Sequence, residues 1–337
     1  MKLSKSFIGL VTVSTIFMLY ASGLYTNFQS DSALEIVDFS IAKPAGEKNI
    51  PSNPDRVPLY GDLHVHTKYS FDAYIFGVTA TPYDAYKYAI GEAIKHPLGF
   101  DMKLKEPLDF YAVTDHGFYM GMIENYADTS SEMSKNEWTK PVHNLNRPEN
   151  VTVESLGARA NLFSSVLTQA IIKPYPYWHP KVWKAWLTNN IQVALQSFDY
   201  DVHKSAWADV ANAAEEFNDP GKFTTFIGYE FTTSTDVEGG NLHRNVIFNS
   251  SDAPIRPWTR IDSINPEDLW TWMDGLRDQG VDSLAMPHNS NGSNGQMFEV
   301  ETFRGSAISK EYSEKRMRNE PVVEITQIKG TSDTYPL

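Results

Sequence analysis

The chain has 337 residues, 41% hydrophobic and 13% aromatic, enough apolar mass to bury a sizeable core as one large domain or two small ones. A formal net charge of -13 argues against a general nucleic-acid-binding surface, which needs clustered Lys and Arg, so an anionic ligand would require a local cationic site such as bound metal ions. The complete lack of cysteine removes thiolate metal sites, disulfides and Cys nucleophiles, and leaves any metal to His, Asp and Glu.

Lys2 and Lys5 precede an almost uncharged run from Phe7 to Leu24. That is the pattern of a secretory signal or an uncleaved anchor, so residues 1–26 are expected to export the protein and to offer a membrane attachment. Residues 27–56, rich in Ser, Asp, Pro and Lys, read as a linker, and 57–337 as one domain. Within it short apolar runs alternate with helix-like segments, which predicts an α/β architecture with mainly parallel strands. The expected strands are Leu59 to His64, Asp109 to Thr114, Thr225 to Tyr229, Asn245 to Phe248, Asp282 to Met286 and Val322 to Ile328. Thr81-Pro82 and Asn265-Pro266-Glu267 signal helix starts, Trp186 to Phe217 accommodates two helices broken near Tyr200, and Lys310 to Arg318 a charged one. The aperiodic stretch from Tyr119 to Pro180 reads as an insertion over one face.

The polar residues at the ends of these strands carry the chemistry. His64-Val65-His66 follows the first strand, and a period of two turns both imidazoles to one side of an extended chain, where they can hold one ion. Two structural histidines are the alternative. Asp115 and His116 end the second strand, whose apolar run Phe110-Tyr111-Ala112-Val113 implies burial on both faces, so a polar triplet Thr114-Asp115-His116 there has to be paired or bound. His116 reads as a ligand, and Asp115 as a second ligand, an orienting group or a helix N-cap. Glu230 ends the third strand and can bridge two cations or be a surface carboxylate. His288 ends the fifth strand, whereas His243 precedes the fourth, which places it less directly on a common rim. His96, His143, His179 and His203 fall in helical or loop contexts and read as structural or solvated.

The strings Tyr60-Gly61-Asp62-Leu63-His64-Val65-His66-Thr67, Thr114-Asp115-His116, Phe226-Ile227-Gly228-Tyr229-Glu230, Asn241-Leu242-His243-Arg244-Asn245, Pro287-His288-Asn289 and Glu324-Ile325-Thr326-Gln327-Ile328-Lys329-Gly330 resemble the PHP (polymerase and histidinol phosphatase) superfamily, and within it the DUF3604 group. The resemblance implies a distorted (β/α)7 barrel carrying two or three divalent ions, zinc, manganese or iron. It implies that His64 and His66 hold the first ion, that Glu230 bridges to a second held by His243 and His288, and that His116 lies at a third. Asp72 stands where some members have another histidine and would favour a harder ion. The family's final Asp-x-His pair is not found, so the barrel is expected to be incomplete at its C-terminus.

The expected activity is a metal-dependent hydrolysis of a small phosphorylated or otherwise hydrolysable substrate, with metal-activated hydroxide as nucleophile. Glu230, Asp115 and Arg244 are the expected catalytic groups, although Arg244 or Lys329 is equally suited to a structural ion pair. An amidohydrolase-like enzyme acting on C-N or C-O bonds, and a non-catalytic exported metal-binding module or inactive fragment, are the alternatives.

Overall fold

Phe110-Tyr111-Ala112-Val113 is apolar apart from the Tyr111 hydroxyl. In the computed structural model, which describes residues 33–41, 55–169, 198–234 and 240–333, it lies buried in the middle of a parallel sheet. In chain order the strands are β1 (Ile36–Asp38), β2 (Gly61–Val65), β3 (Ile94–Lys95), β4 (Asp101–Met102), β5 (Phe110–Val113), β6 (Thr224–Thr225), β7 (Gly228–Phe231), β8 (Arg244–Phe248), β9 (Asp252–Pro254), β10 (Ser283–Pro287), β11 (Thr326–Gln327) and β12 (Gly330–Thr331). The helices are α1 (Phe71–Ile75), α2 (Pro82–Ala89), α3 (Met122–Ala127), α4 (Leu156–Gln169), α5 (Tyr200–Phe217), α6 (Pro266–Arg277) and α7 (Lys310–Asn319). One sheet runs β2-β5-β6 with parallel pairs, and a second runs β7-β8-β10 with antiparallel pairs. A parallel bridge between His116 and Glu230 joins the two. Among the described residues no sheet closes on itself.

Two differences from the sequence expectation matter for the site. The run Thr225 to Tyr229 is not one strand. Phe226 N donates to Tyr111 O in the first sheet while Ile227 O accepts from Phe248 N in the second, so the chain changes sheets between β6 and β7. The strands after that point also depart from the mainly parallel expectation, because β8 runs back along β7 and β10 runs back along β8. This reversal sets the start of β8 beside the end of β7 and the end of β10.

The helix signals act as their chemistry dictates. Thr81 and Asp84 form a reciprocal capping box on α2, Asn265 accepts from Glu267 N at 2.9 Å at the start of α6, and Asp199 caps α5 by accepting from Asp201 N and Val202 N. The core lies where α2, α5 and α6 cover the sheets: Trp207 and Trp272 each meet the stacked pair Tyr229 and Phe248 edge-on, and Trp207→Ala would cost about 3–5 kcal/mol. Within the 27–56 segment, residues 33–41 pack against the domain. There β1 pairs with β9, Ile36 and Phe39 pack on the core, and Trp272 Nε1 donates to Ala33 O at 2.7 Å.

The start of the expected insertion, including α3, builds a second apolar cluster in which Phe118, Tyr119, Met122 and Tyr126 pack with Phe71 and Ile75 of α1. The signal or anchor segment 1–26, and the insertion beyond 169 with His179, lie outside the described residues. Among the described residues no helix is long and apolar enough to cross a membrane.

Candidate metal centre

The site starts at an irregularity in β2. Its register against β5 slips between Asp62 and Val65, and the backbone N–H of His64 turns to Asp62 Oδ1 at 2.9 Å instead of the ladder. Thr114 Oγ1 and Asn245 Nδ2 both donate to the Leu63 carbonyl, which explains these two buried polar side chains. Beyond the bulge His64 and His66 point the same way, with ring centroids 5.3 Å apart, as the period of two anticipated.

The His116–Glu230 bridge sets Glu230 beside the first sheet, and the β7-β8 register opposes Glu230 to Asn245. A side chain at Gly228 would clash with Ile247 and the Val246 carbonyl, so only glycine lets β7 and β8 approach this closely. His243 immediately precedes β8 and His288 immediately follows β10, and His288 N donates to His243 O at 3.3 Å. Position before a strand places His243 less directly on a common rim. In an antiparallel pair the start of one strand lies at the end of its neighbour, so His243 lies beside Glu230.

Glu230 is the centre of the cluster and is fully buried. Its Oε2 faces His66 Nε2 at 2.8 Å and His64 Nε2 at 3.5 Å. Its Oε1 faces His243 Nδ1 at 2.5 Å, His288 Nε2 at 3.1 Å and His116 Nδ1 at 3.3 Å. Asp72, in the first turn of α1, lies 3.2 Å from His66 Nδ1 and 3.4 Å from His116 Nε2. His64, His66, His243 and Asp72 keep 13–19% of their side chains exposed while Glu230 and His288 are sealed, so the cluster is open on one side.

Charge within the cluster is strongly coupled. Burial opposes the charge of Glu230, but His116, His288 and His243 hold its carboxyl well below the usual range. Asp72 is held down in the same way, against its burial, by His116 and His66. Burial opposes protonation of His66, yet Asp72 and Glu230 reverse this and raise it to about 10. Burial drives His243 down to about 4 and also lowers His288, in each case against the pull of the Glu230 carboxylate.

The donor set fits metal ions. His64, His66 and Glu230, then His66, Asp72 and His116, and also His116, Glu230 and His243, each present atoms within 4.8 Å of one another. His66 Nε2 and Glu230 Oε2 are buried and face each other as an ion pair at 2.8 Å without the geometry of a hydrogen bond, an arrangement that two ligands turned to one cation would also give. These buried His, Glu and Asp groups can hold a metal ion.

Two expected catalytic residues are not brought into the cluster. Asp115 spends both oxygens on Thr67, accepting from its N at 2.5 Å and its Oγ1 at 2.6 Å, and thereby pins the turn that follows His66. Burial raises its pKa to about 6 against those two bonds. Arg244 points to the other face of β8, where its guanidinium pairs with Glu320 and the Leu242 carbonyl, and Arg316 and Trp270 donate to the same carboxylate. Three further residues that touch the cluster were not anticipated. Thr232 Oγ1 lies 2.5 Å from His116 Nδ1, Ser70 Oγ donates to Asp72 Oδ1 at 2.5 Å, and Glu324 Oε2 lies 2.9 Å from His64 Nδ1. Glu324 carried a signal, as the one charged residue inside the apolar Val322 to Ile328 run. Of the histidines expected to be structural, His143 bonds Ser134 O, His96 stacks on Phe100 and His203 is buried beside Phe198.

The chain belongs to the DUF3604 family. That family, described as protein of unknown function, matches residues 53–337, so the match contains every residue of the cluster. No curated protein and no solved structure matches the chain. Within this DUF3604 chain the residues that come together are drawn from β2, α1, β5, β7, β8 and β10 or their flanks, and a metal-holding group of this breadth requires the whole domain.

Proposed function

We propose that this DUF3604 chain is a metal-dependent phosphoesterase of the PHP type, with the ions on the rim of a distorted barrel. One observation carries the proposal: a sealed carboxylate, Glu230, turns one oxygen to His64 and His66 and the other to His243, His288 and His116. In this reading His64, His66 and Glu230 hold one ion and Glu230, His243 and His288 a second. Asp72 and His116 serve a third, or complete the first two. A set made only of nitrogen and oxygen donors suits zinc, manganese or iron. When bound, such ions polarise a phosphoryl oxygen and lower the pKa of water toward neutrality.

The protein residues supply the rest. His243 and His288, where burial disfavours a proton, offer imidazole nitrogens to the ions, Thr67 and Asp115 fix the turn that follows His66, and the partly exposed His64, Asp72 and His243 are where a small phosphorylated substrate would approach. Export by the N-terminal segment belongs to the same proposal. The test is to purify the chain, measure its metal content and assay p-nitrophenyl and bis-p-nitrophenyl phosphate before and after chelation and metal return. Absence of bound metal together with absence of chelator-sensitive turnover would sink the proposal. Turnover of amides or lactones in place of phosphoesters would transfer the site to the amidohydrolase-like class.

A further inference from the structure

Glu324 reaches the cluster from outside the two sheets that build it. Its backbone N donates to Pro287 O at 3.0 Å, so the C-terminal segment is fastened to the end of β10 directly before His288. A second backbone bond, from Ser332 N to Ile325 O at 2.8 Å, holds the segment after the β11-β12 hairpin has turned it back. The side chain then places Oε2 at 2.9 Å from His64 Nδ1, while His64 Nε2 faces Glu230 Oε2 at 3.5 Å. One imidazole is thus held between two carboxylates, one inside the cluster and one behind it.

A neutral imidazole gives a cation only one lone pair, and its other nitrogen carries a proton that needs an acceptor. We propose that Glu324 is a positioning residue: its carboxylate accepts the Nδ1–H of His64 and fixes the tautomer whose Nε2 lone pair faces Glu230. The proposal rests on the metal-dependent reading given above. Two further observations support it. Glu324 Oε1 and His288 Nδ1 are buried without hydrogen-bond partners, and His64, His288 and Glu324 each present an atom within 4.8 Å of the others. Glu324 thus lies near both rings, whose Nε2 atoms face the two oxygens of Glu230, and a carboxylate so placed orients imidazoles and raises their basicity as ligands.

The experiment compares wild type, Glu324→Leu and Glu324→Gln as full chains, with zinc as the probe. Zinc affinity is read by competition with a chromophoric chelator, and the tautomer of His64 in the zinc-loaded protein by 15N imidazole NMR, assigned with His64→Gln. Loss of an outer carboxylate of this kind lowers metal affinity about 10- to 100-fold, which is the effect expected of Leu, with stoichiometry regained at saturating zinc. Gln retains a carbonyl acceptor and gives up only about half of a charge-assisted bond, so it should remain within roughly 5-fold of wild type and keep the Nδ1–H signal. Unchanged affinity in Glu324→Leu, beside a wild type that binds zinc, would overturn this role and leave the metal reading standing. A Gln variant as weak as Leu would also overturn it, because the charge or direct ligation would then be what matters. A wild type that takes up no zinc would remove the metal reading and this proposal together. Glu324 is partly buried, with 16% of its side chain exposed; Leu is close to it in volume, and Gln provides the isosteric control.

Discussion

Glu230→Gln keeps the volume of the central side chain and removes its charge. Two unit charges about 4 Å apart attract by about 4 kcal/mol at an effective dielectric of 20. The five imidazoles lie 2.5–3.5 Å from the Glu230 oxygens, so an ion shared with them is no farther away. A divalent ion facing half of the carboxylate's charge, one oxygen of the two, has the same charge product and should therefore lose about 4 kcal/mol, close to three decades of affinity. Thermal unfolding amplifies this difference. Zinc at about 1,000 times the wild-type dissociation constant adds roughly 4 kcal/mol of stability, whereas the same concentration lies near the dissociation constant of the variant and adds only about 0.4 kcal/mol. Chelator competition gives the affinities, and melting with and without zinc gives the linked stability. A Glu230→Gln protein that retains wild-type zinc affinity and its full zinc-induced rise in melting temperature would refute Glu230 as the shared ligand.

Thr67→Val removes the 2.6 Å hydroxyl bond to the buried Asp115 carboxylate and should cost about 1.5–3 kcal/mol by denaturant unfolding. It should also weaken zinc binding, through the turn that follows His66. Arg244→Met breaks a buried pair with Glu320 and should destabilise the fold by about 3–5 kcal/mol while zinc stoichiometry is preserved, since Arg244 lies on the far face of β8. His203 is held at a pKa of about 3, first by burial and then by the charge of Arg256, against 6.5 for an unfolded histidine. Between these values the unfolded chain binds the additional proton, so this contribution is present above pH 6.5 and is lost as pH falls toward 3. Metal-free His203→Phe should flatten the stability profile in that window by up to about 1.4 kcal/mol per pH unit, and an unchanged slope would exclude His203 as a source of acid sensitivity.

Much of the candidate site could be read locally because it depends on short-range geometry. The His64-x-His66 spacing puts two imidazoles on one side of an extended chain whatever surrounds it. The apolar run Phe110 to Val113 forces Asp115 and His116 to be satisfied, and the caps at Thr81 and Asn265 fix where helices begin. The roles of Asp115 and Arg244 could not be read in this way. Asp115 meets Thr67 only because β5 pairs with β2, and Arg244 meets Glu320 only because α7 returns to the sheet.

By itself, then, the sequence determined which residue types are available to hold a cation, five imidazoles at strand edges and their carboxylates in a chain without thiols, and where several of them sit on strands. The tertiary structure decided which of them meet. Strand direction is a property of a pair of strands, so the antiparallel return of β8 and β10, which sets His243 and His288 against Glu230, is written in no single segment. Glu324 arrives at His64 from 260 residues away in sequence, along a segment whose only local signal is one charge in an apolar run. Periodicity describes a residue's face on its own element, and only packing determines what that face meets.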